Sequence, residues 1–315
     1  MVFEDDLTLD SASGATLRLR HEPTAGAARG VFMLCHGLAE HALRYAPLAR
    51  VLSARGYAVY GFDHRGHGAT TALDAPLGRF ARRNGEASLL ADLAAVRAKA
   101  VADHPGLPVF LFGHSMGGII VARAAETVPQ AYAGLCIWNS DLNPGFAGHL
   151  GLMLLKAERF FKGADVPSRF GPLFTFETWA NAVKDARTRF DWLSRDRAEV
   201  DKYVADPLCG FDSSVSLWID LIGMALAAGR RDSLGRLPKN LPVNLVGGGQ
   251  DPATGGGRAM TWLAGRLGSL GIKNVHLTIY PEMRHETLNE IGRETAMDQL
   301  AAWADGIVAA ESFIR

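Results

Sequence analysis

Cysteine is scarce, with three in 315 residues, and no two of them form a C-x-x-C pair. Cys35, Cys136 and Cys209 are odd in number and far apart, and the first two sit in apolar runs. A disulfide framework and a thiolate metal site are therefore excluded, and buried thiols in a reducing compartment are expected. Charge of one sign is missing as well: 33 Lys and Arg balance 33 Asp and Glu, and no basic run exceeds two residues. The electrostatic footprint of a nucleic-acid binder is absent. Long hydrophobic runs are missing too. The longest nearly apolar stretch, residues 217–228, is 12 residues long and interrupted by Asp220, short of the ~20 that a spanning helix needs. The first residues, Met1-Val2-Phe3-Glu4-Asp5-Asp6, carry neither a basic nor an apolar leader pattern, so a cytoplasmic protein is expected. There are no internal repeats and no low-complexity linkers.

What is present is 48% hydrophobic residues and 35 glycines, the composition of a globular chain long enough to bury roughly 75% of its unfolded surface. Short β-branched or aromatic runs alternate with helical periodicity, the pattern of βα units in a largely parallel sheet. Strands are predicted over residues 31–35, 57–62, 109–112, 135–138, 243–246 and 275–280. Leu89, Leu93, Val96 and Ala100, and likewise Met297, Leu300, Ala304 and Ile307, trace single apolar helix faces. Leu17-Arg18-Leu19-Arg20 alternates with period two and reads as an antiparallel edge strand. Between residues 142 and 238 the alternation fails. Helical patches at 148–161, 179–193 and 217–228 follow one another, and 12 of the 27 aromatic residues fall here. The chain thus divides into a core of residues 1–141 and 239–315 and a helical insertion, residues 142–238. The insertion either buries a core of its own or also turns apolar surface to a ligand.

Chemistry concentrates in Gly113-His114-Ser115-Met116-Gly117, where an apolar strand runs into G-x-S-x-G and then a helix. This is the signature of a nucleophile elbow, whose tight turn leaves no room for side chains at Gly113 and Gly117 and exposes Ser115 at the helix's positive end. A serine hydroxyl needs a base, and the base an acid to orient it. Asp251 follows strand 243–246, and His285 follows strand 275–280. Adjacent parallel strands would carry both to one sheet edge, in the order Ser, Asp, His of α/β-hydrolases. Asp141, after strand 135–138, is the competing acid. Oxyanion donors are expected from the backbone N–H of Met116 and, from the loop His36-Gly37-Leu38, that of Leu38. His36 is read as a structural residue bonding that loop, and Gly37 and His114 as further supports.

Other patterns in the chain do not carry chemistry. His285-Glu286-Thr287-Leu288-Asn289 opens like a zinc-protease helix but lacks the second histidine, and no catalytic metal is expected. The glycines at 247–249 and 255–257 do not fit dinucleotide spacing, so no cofactor is expected. Asp63-His64-Arg65-Gly66-His67-Gly68 is read as a tight structural turn in which Asp63 and Arg65 form a buried ion pair.

Four segments, Cys35-His36-Gly37-Leu38-Ala39-Glu40-His41, Asp63-His64-Arg65-Gly66-His67-Gly68, Gly113-His114-Ser115-Met116-Gly117-Gly118 and Tyr280-Pro281-Glu282-Met283-Arg284-His285-Glu286, together resemble the monoacylglycerol lipase and lysophospholipase family of α/β-hydrolases. Asp206-Pro207-Leu208-Cys209 is similar to its cap segment. Ala39 departs from the pattern, standing where glycine is expected, which bears on loop flexibility rather than on catalysis. The resemblance implies an α/β-hydrolase fold with a helical cap over about 142–238, the triad Ser115, Asp251 and His285, oxyanion donors Leu38 and Met116, and hydrolysis of single-chain lipid esters. Competing readings are a carboxylesterase of small non-lipid esters, transfer of the acyl group to another alcohol, and a silent scaffold on the same fold. Peptidase activity is disfavoured by the lack of an acidic pair to hold an α-amino group. Leu152-Met153-Leu154-Leu155 and the 217–228 segment are the candidates for transient contact with a membrane surface.

Overall fold

The computed structural model describes residues 2–312. In chain order its elements are β1 (Leu7–Asp10), β2 (Ala15–Glu22), β3 (Gly30–Cys35), α1 (Ala46–Ala54), β4 (Tyr57–Phe62), β5 (Thr71–Ala72), α2 (Gly85–Asp103), β6 (Val109–His114), α3 (Met116–Thr127) and β7 (Gly134–Trp138). Then come α4 (Gly145–Lys162), α5 (Phe170–Phe174), α6 (Phe176–Asn181), α7 (Arg197–Ala205), α8 (Val215–Ala228), α9 (Arg231–Leu234), β8 (Val243–Gly248), α10 (Arg258–Ser269), β9 (Val275–Tyr280) and α11 (Arg293–Ser312). The strands form one sheet in the order β1-β2-β4-β3-β6-β7-β8-β9, with β5 paired to β2. From β4 to β9 all pairings are parallel, while β1, β2 and β5 run antiparallel.

All six predicted parallel strands are present, and β3, β4, β6, β7 and β8 are buried along their whole length. Helices on both faces explain this: strands covered on two sides read as continuous apolar runs rather than alternating ones. Leu89, Leu93, Val96 and Ala100 form the buried stripe of α2, and Met297, Leu300 and Ala304 that of α11.

Three expectations are corrected. The 17–20 segment is antiparallel but not an edge, because β1 pairs outside it. That four-residue strand, with every second residue exposed, is too short to announce itself by periodicity. The helix expected over 179–193 reduces to α6 followed by turns; its aromatics pack in a small cluster around Trp192 rather than along a helix face. Asp63 does not pair with Arg65. Its carboxylate instead accepts the Ala42 and Ala69 N–H groups at 2.9 Å, while Arg65 Nε donates to Asp92 Oδ2 on α2 at 3.0 Å, with both residues fully buried.

Between β7 and β8 the chain runs through α4 to α9. Of these, α8 buries Leu217, Trp218, Leu221 and Met224 against α3 and α4, so it is not the exposed apolar face that its composition suggested. The insertion's exposed large apolar residues concentrate on α4, at Phe146, Leu150, Met153, Phe160 and Phe161, with Leu173, Phe174 and Val204 on α5 and α7. Among the described residues, no helix is long and apolar enough to cross a membrane.

Candidate active site

Parallel register brings Cys35 of β3 opposite Gly113 of β6, and Trp138 of β7 opposite both His114 and Val246. The C-terminal ends of the central strands therefore share one edge, and the loops that follow them carry all the candidate residues, as open α/β sheets place their sites. Ser115 sits at φ 53°, ψ −119° between β6 and α3. Backbone of this kind is uncommon outside glycine and is retained only where the surroundings enforce it. The enforcement is visible: a Cβ at Gly113 would run into the Gly117 carbonyl, and one at Gly117 into that of Cys35. The turn is further tied by Ser115 N–H donating to Trp138 O at 2.9 Å and by Ser140 Oγ donating to Ser115 O.

The structure brings Ser115, His285 and Asp251 into line. His285 Nε2 lies 2.9 Å from Ser115 Oγ, and His285 Nδ1 lies 3.0 Å from each Asp251 carboxylate oxygen. Asp251 is fully buried and accepts further bonds from Thr254 Oγ1 at 2.7 Å, Asn139 Nδ2 at 3.1 Å and Ala253 N at 2.9 Å. Burial alone would push this carboxyl up; the neighbouring His285 and these donors outweigh it and hold it below the usual range. Asp141 makes no bond to His285, and its Oδ1 accepts the Asn143 N–H at 2.8 Å.

Leu38 and Met116 line the cavity that opens onto Ser115 and His285. Met116 is the first residue of α3, so its N–H is among the donors that a helix leaves unpaired. His36 is fully buried and brackets the loop: Nδ1 lies 2.7 Å from Gly37 O, and Nε2 accepts the His64 N–H at 2.9 Å. Burial pushes its pKa down to about 4. Ala39 adopts φ 55°, the left-handed region that glycine favours, and its carbonyl is gripped by Gly210 N–H at 2.9 Å and Tyr203 O–H at 2.8 Å.

Sequence reasoning missed a buried charge network behind this loop. Glu40 accepts from Gly37 N at 2.6 Å, Tyr45 Oη at 2.8 Å and Arg44 Nη1 at 2.6 Å. Arg44 also donates to both oxygens of Glu286, at 2.5 and 2.6 Å. His114 Nε2 lies 3.0 Å from the His285 carbonyl, and its Nδ1 lies 3.5 Å from Glu40. Burial would lower the His114 pKa, but Glu40 overrides it and raises it. The 36–41 loop, the turn at Ser115 and the histidine loop are thereby cross-linked. Asn139 and Thr254 were missed too. The one available signal was position, since Asn139 ends β7 as Ser115 ends β6.

Two cavities meet at Ser115. One, of about 150 Å³, is walled mainly by apolar residues including Ile119, Trp179, Trp218 and Leu221. The other, of about 20 Å³, lies among Glu40, Trp192, Tyr203 and Glu286. Trp192 and Trp179 approach the His285 ring at 4.9 and 6.2 Å between centroids and restrict water around it.

This sheet, with its chemistry gathered at the strand ends, is that of an α/β-hydrolase. The family described as serine aminopeptidase, S33, matches residues 26–292. A monoacylglycerol lipase of Mycolicibacterium smegmatis is 30% identical over 279 residues, 87% of this chain and 88% of the relative. The human monoglyceride lipase is 29% identical over 261 residues, 79% of this chain and 74% of the relative. Among solved structures, a thermostable carboxyl esterase from Bacillus coagulans in complex with glycerol superposes with a TM-score of 0.88 at 24% identity, covering 98% of this chain and 99% of that one. The chain belongs to this monoacylglycerol lipase-like family of α/β-hydrolases, and it is a serine hydrolase of carboxylic esters.

Proposed function

We propose that Ser115, His285 and Asp251 are the catalytic triad and that the enzyme hydrolyses monoacylglycerol-type esters. The observation that carries this reading is the aligned pair of hydrogen bonds from Ser115 through His285 to Asp251. His285 Nε2 takes the Ser115 proton as Oγ attacks the ester carbonyl, and Asp251 stabilises the imidazolium. The Leu38 and Met116 N–H groups hold the oxyanion, each such donor lowering the barrier by ~3 kcal/mol. His285 then protonates the departing alcohol, and water, activated the same way, releases the acid.

The acyl chain occupies the apolar 150 Å³ cavity, where each buried CH₂ contributes ~0.8 kcal/mol. The small cavity, at about 20 Å³, has room for one water rather than for a leaving group, which suits it to hold the hydrolytic water beside Ser115. Residues 142–238 act as a cap that shapes both cavities. Lys156, Arg159 and Lys162 share α4 with the exposed phenylalanines, a combination suited to transient contact with an anionic lipid surface by a cytoplasmic, peripheral enzyme.

The test is hydrolysis of p-nitrophenyl esters from acetyl to palmitoyl, with 1-monoacylglycerol and lysophosphatidylcholine, against Ser115→Ala. Turnover of medium or longer acyl groups and of monoacylglycerol, lost in the variant, is expected. Turnover confined to acetyl and butyryl esters would support a small-ester carboxylesterase. A Ser115 inert to every ester and to a fluorophosphonate would leave only a scaffold.

A further inference from the structure

The cavity assigned above to the acyl group contains one residue that a plain hydrocarbon chain does not need. Asp141 lines it together with Ser115 and His285. It also lies close to the reacting centre, because it directly follows Ser140, whose hydroxyl donates to the Ser115 carbonyl, and one residue advances the chain by only ~3.8 Å. Every other oxygen-bearing side chain on the wall, Ser115 apart, is spent on the protein, while Trp218 Nε1 is a buried donor without a partner among the described residues. Asn139 and Thr254 donate to Asp251, and Thr175 donates to the Gly171 carbonyl. Asp141 accepts a single N–H, from Asn143 to Oδ1, and among the described residues neither a salt bridge nor a second hydrogen bond reaches its carboxylate. Burial pushes this carboxyl above its ordinary range, with only the Asn143 N–H opposing. Asp141 is half-buried, so water satisfies its free acceptor capacity only until a substrate fills the apolar pocket, when a donor on that substrate must replace it.

We infer that Asp141 is a specificity residue that accepts a hydrogen bond from a hydroxyl or ammonium group carried on the acyl chain within a few carbons of the ester carbonyl. This rests on the reading that Ser115 is acylated. The substrate class it adds is that of hydroxyacyl or aminoacyl esters alongside unsubstituted ones. A half-buried acceptor that gives up its water when the pocket fills discriminates against the analogue that lacks the donor, because that analogue leaves the acceptor unpaired.

The experiment compares kcat/KM for the p-nitrophenyl esters of butyric, 3-hydroxybutyric and 3-aminobutyric acids in the wild type, Asp141→Asn and Asp141→Leu. Asp141→Asn keeps an acceptor for the Asn143 N–H, so the local turn survives, and fluorophosphonate labelling of Ser115 verifies an assembled site in each variant. In the wild type at least one donor-bearing ester is expected to exceed butyrate by about ten- to a hundredfold, and which one separates hydroxyl from ammonium recognition. In Asp141→Leu that ratio is expected to fall to about one or below, with Asp141→Asn between. A wild-type ratio of one or less for both donor esters, or a ratio indifferent to both substitutions while butyrate is still turned over, overturns the inference and leaves the esterase reading standing. If butyrate hydrolysis is absent, or survives Ser115→Ala, the esterase reading itself falls and the inference falls with it.

Discussion

Asn139, on the cavity wall, shows how a residue whose hydrogen bonds go to the protein can govern the chemistry. It adopts φ 49°, a strained setting for a side chain that is not glycine, though asparagine tolerates it better than most. From there Nδ2 reaches Asp251 Oδ2, while Oδ1 accepts from Thr287 Oγ1 at 3.1 Å. It thus orients the acid and ties it to the segment following His285. Asn139→Ala is expected to lower kcat about tenfold with KM nearly unchanged, since what is lost is orientation of the base rather than contact with the ester. Steady-state kinetics on a single p-nitrophenyl ester would check this, and a rise in KM with kcat preserved would contradict it. The proposed triad of Ser115, Asp251 and His285, which the structure places within hydrogen-bond reach of one another, was legible because each residue type leaves a local mark: a glycine-flanked serine, and an acid and a histidine just past strand ends. Asn139 left only its position after a strand, and the network of Glu40 and Arg44 left no motif: Glu40 bonds local neighbours, while Arg44 reaches Glu286, 242 residues away.

At the scale of elements, the 63–68 turn is held to α2 by the fully buried Arg65 and Asp92 pair. Removing one member of such a pair strands the other charge, so Asp92→Ala is expected to destabilise the fold by about 3–5 kcal/mol. The double change Asp92→Leu with Arg65→Met should recover a large part of that loss. Urea denaturation of the three proteins measures this; a mild Asp92→Ala would mean that water reaches Arg65. The partner was misread from sequence because Asp63 is only two residues from Arg65, whereas Asp92 arrives through packing of a helix 27 residues on. A similar limit applied to the insertion. Apolar composition marked both residues 152–155, on α4, and 217–228, which form α8, as surface-seeking; α8 is the buried one, and α4 carries exposed apolar residues, Met153 among them. Phe160→Ser with Phe161→Ser is therefore expected to reduce co-sedimentation with anionic phospholipid vesicles severalfold, with hydrolysis of a water-soluble ester retained. Unaltered co-sedimentation would remove α4 from the membrane proposal.

For the whole molecule, the central strands were the most legible part of the fold, since burial on both faces writes itself as uninterrupted apolar runs. The same burial imposes a pH dependence. His36, His64 and His67 are all enclosed behind the oxyanion loop, their rings 4.3 to 6.5 Å apart. Desolvation, aided by their mutual repulsion, drives all three pKa values down, to about 4 for His36 and about 3 for His67. In the unfolded chain these histidines take up protons near pH 6.5; in the folded one they do not. The unfolded state therefore binds more protons, and stability falls as pH drops below 6.5, by ~1.4 kcal/mol per unit for each histidine. Glu126 and Asp220 oppose this: burial raises them to about 7 and about 6, so the folded state takes up protons there first and gains stability as pH falls. His114, raised by Glu40, contributes nothing further below 6.5, where it is charged in both states. His21 is lowered as well and Asp141 raised, so four histidines stand against three carboxyls and the net direction is a loss of stability between about pH 6.5 and 5. The urea midpoint should move down accordingly across that interval, and a midpoint that held steady or rose would show that the three rings take up protons without unfolding the loop.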